Sequence, residues 1–232
     1  ALNLKNNPLG EVTGTLGIPE FGTQFVRQIL ADAQPKTFND LVIVSGLSHG
    51  TGVWRFNAGE LIRSGLTNLR GVIGCRDDIM TYLISQNMDQ KDAFSIMESV
   101  RRGQGIEAAL EARMKIAGIP KFYIDSCKKI EYLFPRAHAA AYVIMAVKVA
   151  WFKLYYPLEY YATFFTIRGD NFDLKTMISG EEAILKALSD FDAQRLKGEL
   201  NTRDQNIVEN LQLTLELLNR GYKLANIDIY RS

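Results

Sequence analysis

Apolar residues recur at intervals of three and four along most of the chain, the spacing of helices buried on one side. The longest such stretch covers residues 134–156, FPRAHAAAYVIMAVKVAWFKLYY. Its His138, Tyr142, Met145, Val149 and Phe152 share one helical face, which the spacing turns toward a core. Pro135 suits a first turn, where its missing N–H leaves no bond unmade, and Pro157 stops continuation. Lys148 and Lys153 stand in the last turns, where a cation complements the helix dipole. Arg136 and His138 stand in the first turn, where it does not. A phosphate held on the free N–H groups there would resolve that mismatch. The alternative is a buried helix with a core histidine and a surface arginine.

The same periodicity predicts helices over residues 25–33, 38–44, 89–102, 107–117, 121–134, 177–200 and 203–221, with a loop entering a helix over 72–84. Thr37 is placed to cap the second of these. Asp77 and Asp78 lie in a first turn. Neighbours on a helix diverge by about 100°, so they act as a cap rather than as ligands of one ion. Residues 45–54, SGLSHGTGVW, followed by a helix from about Asn57, resemble a helix-hairpin-helix. Such a loop offers backbone N–H groups to a phosphate, with Ser48 and His49 at its tip, or is simply a turn. Residues 222–232 alternate like a strand. The fold class expected is mostly α, multi-helical, with short extended segments.

The chain has 232 residues, 47% hydrophobic and 23% charged, a soluble balance sufficient for one large domain or two small ones. The longest apolar run, residues 137–150, is broken by Tyr142 and Lys148, so no membrane span is expected, and with no signal pattern at the start a cytoplasmic location is expected. With no initial methionine, a piece of a longer or processed chain is expected. The net charge of +1 conceals an asymmetry. Residues 101–153 hold ten basic and four acidic side chains, while the remainder holds 17 basic and 22 acidic. A basic block with interleaved aromatics suits nucleic acid or nucleotide, or is a solvated surface. Cys75 and Cys127, with only His49 and His138 besides, make a poor zinc set and are expected as reduced thiols. Phosphate-loop and dinucleotide fingerprints are absent from the sequence. Asp190 and Asp192 diverge on a helix, so no metal ligands are expected in this chain.

Longer motifs carry a resemblance. TGTLGIPEFGT (13–23), SGLSHGTGVW (45–54), VIGCRDDIM (72–80), YIDSCKKIEYLFPRAHAAAYVIMAVKVAWFK (123–153) and FDLKTMISG (172–180) resemble the PolC-type DNA polymerase III α chain. FPRAHAAAY also resembles the wider F-x-K-S-H-A-x-x-Y signature of C-family polymerases. The chain departs from the family pattern at Gly52, where an acid is expected, and at Arg55-Phe56, where a Leu-Gly pair is expected.

The resemblance implies the fingers domain of a C-family polymerase. Residues 1–23 would be an extended segment arriving from an absent palm, 24–170 the fingers core, and 171–232 an outer helical segment. The outer segment would lead toward an absent tandem helix-hairpin-helix and clamp-binding region. The catalytic aspartates and Mg2+ would lie in the palm, so no catalytic residue is expected here and the isolated chain should be inactive. Partners implied are primer-template DNA, dNTP, the other domains of the parent chain and, through regions elsewhere, the sliding clamp. Arg76, Lys128, Lys129, Arg136 and His138 are the expected contacts to the dNTP phosphates. Ser48, His49, Phe134 and Tyr142 are expected to line the base, the template or an inhibitor. A non-enzymatic helical DNA-binding module is the alternative.

Overall fold

The computed structural model describes residue 2 and residues 6–226. The described residues form helices joined by turns, with one isolated antiparallel bridge, Thr51 to Tyr132, in place of any sheet. The chain divides into two units, one of Pro19–Val147 and one of Ala1–Ile18 with Lys148–Ser232. This division rests on packing. It is of a different kind from the segments 1–23, 24–170 and 171–232, which concern a parent chain.

The first unit holds α1 (Gln24–Ala33), α2 (Phe38–His49), α3 (Gly59–Arg63), α4 (Arg76–Ser85), α5 (Gln90–Arg101), α6 (Ala108–Ile116) and α7 (Lys121–Lys129). It also holds the first part of α8 (Arg136–Tyr155). Thr23 caps α1, and Thr37 caps α2 in a reciprocal box with Asp40, as the sequence led us to expect of Thr37. Asp78 accepts from the N–H groups of Gly74 and Cys75 at 3.1 and 2.8 Å, closing the start of α4. The apolar faces of α1, α2, α4 and α5 supply a core that includes Ile29, Val44, Ile79, Leu83 and Ile96.

The second unit holds the end of α8 with α9 (Pro157–Thr163), α10 (Leu174–Ile178), α11 (Glu181–Leu196) and α12 (Thr202–Asn219). Met177, Ile184, Leu188, Val208, Leu211 and Leu215 form its core. Asn201 and Asp204 cap α12 reciprocally.

Several boundaries differ from those expected. α2 runs on to His49, so Ser48 and His49 occupy its last turn and the loop begins only at Gly50. Gly46 is a packing residue rather than a turn signal, since a Cβ there would stand 2.3 Å from the Gly74 carbonyl and 2.6 Å from Cys75 Sγ. α7 stops at Lys129, because the next segment is captured by neighbours. Thr51 O accepts from Glu131 N and Tyr132 N, and Arg101 O accepts from Leu133 N. The expected helix over 177–200 is two helices, broken at Gly180, whose φ of 98° is open to glycine. Residues 222–226 form no strand, and the rest of that expected strand lies outside the described residues.

The facing of α8 is a correction. Its buried positions are Ala139, Val143, Ala146 and Lys153. Tyr142, Met145 and Phe152, expected toward the core, are 43%, 56% and 49% exposed. The helix is apolar nearly all round, so spacing alone does not select a face. Small side chains let the helix approach its neighbours and leave the large ones outside. Lys153 also differs from expectation. Instead of meeting solvent at the helix end it is 2% exposed and bonds to the carbonyls of Gly14 and Leu16 and to Glu216. Contrary to the expectation that no segment resembles a membrane span, α8 has the length and composition of one, with 22% of its apolar window buried.

Candidate nucleotide and DNA site

α4 and α8 meet by their N-terminal ends within the first unit. Arg76 N donates to Phe134 O at 3.1 Å, and Arg136 N donates to Asp77 Oδ2 at 2.8 Å. Asp77 therefore caps α8 rather than only its own helix, while the diverging Asp78 closes α4 and pairs with the Arg136 guanidinium. The unfavourable cation at the start of α8 is thus answered by the chain's own carboxylates. Arg136 also bonds to Asn39. Its side chain borders a groove of about 660 Å³ shared with Asn39, Arg70, Asp78, Tyr82 and Tyr123.

His138, at two helical positions from Arg136, points to nearly the opposite side of α8. There it joins a row of rings. His49 stacks on Phe134 with centroids 4.9 Å apart, Phe134 meets His138 edge-on at 4.8 Å, and His138 meets Tyr142 at 4.7 Å. Ser48 Oγ lies 3.0 Å from His49 Nδ1, and the Glu20 carboxylate approaches the other ring nitrogen to 2.9 Å. Five of the expected site residues, Ser48, His49, Phe134, His138 and Tyr142, are therefore one structure, drawn from α2, the 134 segment and α8. His138, grouped by sequence with the phosphate cations, stands among the ring residues.

The remaining expected cations are spread out. Arg76 has only a long 4.0 Å approach to Asp77. Lys128 is paired with Glu111 at 2.8 Å. Lys115 and Lys128 together hold the Glu111 carboxyl down to about 2. Lys129 donates to the Phe56 carbonyl at 2.6 Å and has no carboxylate partner among the described residues. The sequence missed Asn39 and the role of Asp77 across two helices. The divergence of adjacent acids was the available signal for Asp77, since it lets each carboxylate serve a different helix.

The described residues contain no cluster of three or more His, Cys, Asp or Glu side chains placed for a metal. Asp77 and Asp78 are engaged with N–H groups and Arg136, and Asp192 with Arg195 at 3.3 Å. These groups do not fit a two-ion centre, which needs carboxylates converging on ions about 4 Å apart. Burial pushes the thiols of Cys75 and Cys127 up to about 12, far from the thiolate form.

Residues 9–119 match the family of the bacterial DNA polymerase III alpha subunit finger domain. The whole chain is 52% identical to "DNA polymerase III PolC-type" of Bacillus subtilis, 49% to that of Listeria monocytogenes and 50% to that of Caldanaerobacter subterraneus. It spans 16% of the length of each of these relatives. Identity at about half of the positions along the full chain places it in the PolC-type bacterial DNA polymerase III family, and residues 9–119 match the finger domain of that polymerase's alpha subunit.

Proposed function

We propose that this chain is the part of a replicative DNA-directed DNA polymerase that receives the incoming dNTP and primer-template DNA. The observation that carries the proposal is the row His49–Phe134–His138–Tyr142, with Tyr142 exposed, beside the joined N-termini of α4 and α8, where Arg76 adjoins Phe134 and the Arg136 side chain lies on the other side of α8. Rings of this kind give a nucleobase flat and edge contacts, and Ser48 adds a polar group. Arg76, the least committed of the expected cations beside the rings, offsets charge on the triphosphate and the leaving pyrophosphate, joined by Arg136 and Lys128 as their carboxylates yield; Lys129 is held at the Phe56 carbonyl instead. The primer 3′ hydroxyl attacks the α-phosphate elsewhere, beside metals held by a palm outside this chain. The parent acts in the cytoplasm and reaches a sliding clamp through its other regions.

Arg136→Ala in the full polymerase tests the assignment. The expected result is a rise in KM for dNTP of at least tenfold, the size of one lost charge-assisted contact, with a smaller change in Kd for primer-template. An unchanged KM removes Arg136 from the site. If neither nucleotide use nor template pairing responds to substitution of Arg76, Lys128 or Arg136, while DNA binding stays salt-sensitive, a backbone-binding module is the better description.

A further inference from the structure

Phe56 stands in the left-handed region, with φ 58° and ψ 15°. A bulky residue rarely adopts this backbone, because its Cβ crowds the neighbouring carbonyl. Its ring is also 75% exposed, so packing does not repay the strain. The conformation is instead imposed from beneath. Asn57 is buried and donates to Gly52 O at 2.8 Å and to Ser126 O at 3.2 Å, while Ser126 Oγ donates to Asn57 Oδ1 at 2.6 Å. Lys129 Nζ holds the Phe56 carbonyl at 2.6 Å. A strained residue fixed by so many bonds, with an exposed side chain, is a surface presented on purpose.

The surroundings identify the occupant. Arg55 precedes the ring in sequence, its guanidinium 5.3 Å from the Phe25 centroid, and Lys129 is bonded just behind it. Arg55 lies over the Phe25 ring and Lys129 on a backbone carbonyl, and neither is seen bonded to a carboxylate among the described residues. An exposed ring on a residue whose own carbonyl holds one cation and whose sequence neighbour is another complements a flat group joined to phosphates. Resting on the polymerase reading above, we infer that Phe56 is a stacking platform for an unpaired base of single-stranded DNA, with Arg55 and Lys129 holding the phosphates on either side. The ring lies on the loop that follows α2, and it is separate in sequence and in its contacts from the row His49–Phe134–His138–Tyr142.

The test uses the full polymerase chain that carries this segment, with two DNA probes: a primer-template with a single-stranded template overhang, and the same duplex blunt-ended. Phe56→Gly is the informative variant, because glycine accepts the backbone without strain. Its melting temperature is expected to hold or rise. Its affinity for the overhang probe is expected to fall roughly five- to a hundredfold, the range for loss of one base stack, with no change on the blunt duplex. The slope of log affinity against log salt should stay the same, because a stack releases no counterions. Phe56→Trp should restore overhang binding. Equal affinity of Phe56→Gly and the unsubstituted chain for the overhang overturns the platform and leaves the polymerase reading intact. Failure of the unsubstituted chain to bind either probe overturns the polymerase reading and the platform with it. A loss on both probes alike overturns the platform in favour of a general DNA contact.

Discussion

Lys153 shows what a single position concealed. Its place at the end of an apolar helix is legible, but its partner Glu216 lies on α12, far along the chain, where no local pattern points back. In the folded chain the two are bonded at 2.8 Å and both nearly excluded from water, with Tyr161 donating to Glu216 at 2.6 Å and Arg220 donating to the Lys153 carbonyl at 2.7 Å. Removing one member leaves the other charge buried and unanswered. Lys153→Ala is expected to lower unfolding free energy by about 3–5 kcal/mol, read from urea denaturation, whereas Lys153→Met combined with Glu216→Leu should recover much of that loss. Asp40 offers a pH test. The Arg70 guanidinium, then the Lys36 and Thr37 N–H groups, hold its carboxyl at about 2. A carboxylate whose pKa is lowered by folding stabilises above its unfolded value near 3.8, and the benefit disappears as pH falls toward 2. Asp40→Asn should therefore flatten the acid limb of a stability-pH curve in that window and leave the neutral region with a constant offset.

At the scale of elements, most helices were legible because caps and apolar spacing agreed. Thr37 with Asp40 is an example, and the order of helix, glycine-bearing loop and helix around residues 38–63 is another. Facing and endings were less so. The small side chains Ala139, Val143 and Ala146 carry weak hydropathic signal, yet they, rather than the aromatic residues, make the buried side of α8. α7 ends where Thr51 and Arg101 take its successors' N–H groups, contacts that are remote in sequence. The junction of α4 with α8 gives a prediction. Asp77→Ala removes a cap from the start of α8 and should cost about 1 kcal/mol. Hydrogen exchange should show the loss concentrated in the first turn of α8. A glycine, which the resemblance led us to expect at position 56, would adopt the left-handed backbone there without the strain that Phe56 bears.

For the molecule as a whole, long motifs disclosed the family while composition disclosed only a basic block. The rings of the candidate site were legible as separate residues. Their assembly into one row, and the turning of Arg136 to the far side of α8, depended on three-dimensional packing. On the proposal that the metals are held by a palm outside this chain, primer extension by the 232-residue chain is expected to give no product. A longer chain that includes the preceding region should extend the primer. Product from the shorter chain would overturn the assignment of the metals to a palm. Native-state alkylation followed by peptide mapping should leave Cys75 and Cys127 unmodified near neutral pH, because both are buried and held as thiols.

The left-handed backbone of Phe56 also constrains how this lineage can mutate. Passing between phenylalanine and glycine requires changes at both the first and the second codon positions. The single-step intermediates are valine and cysteine. Valine, branched at Cβ, is worse suited than phenylalanine to the backbone at this position, and cysteine would expose a thiol where the ring now stands. Either single-step route between phenylalanine and glycine therefore passes through a residue that suits this backbone or this exposed position poorly.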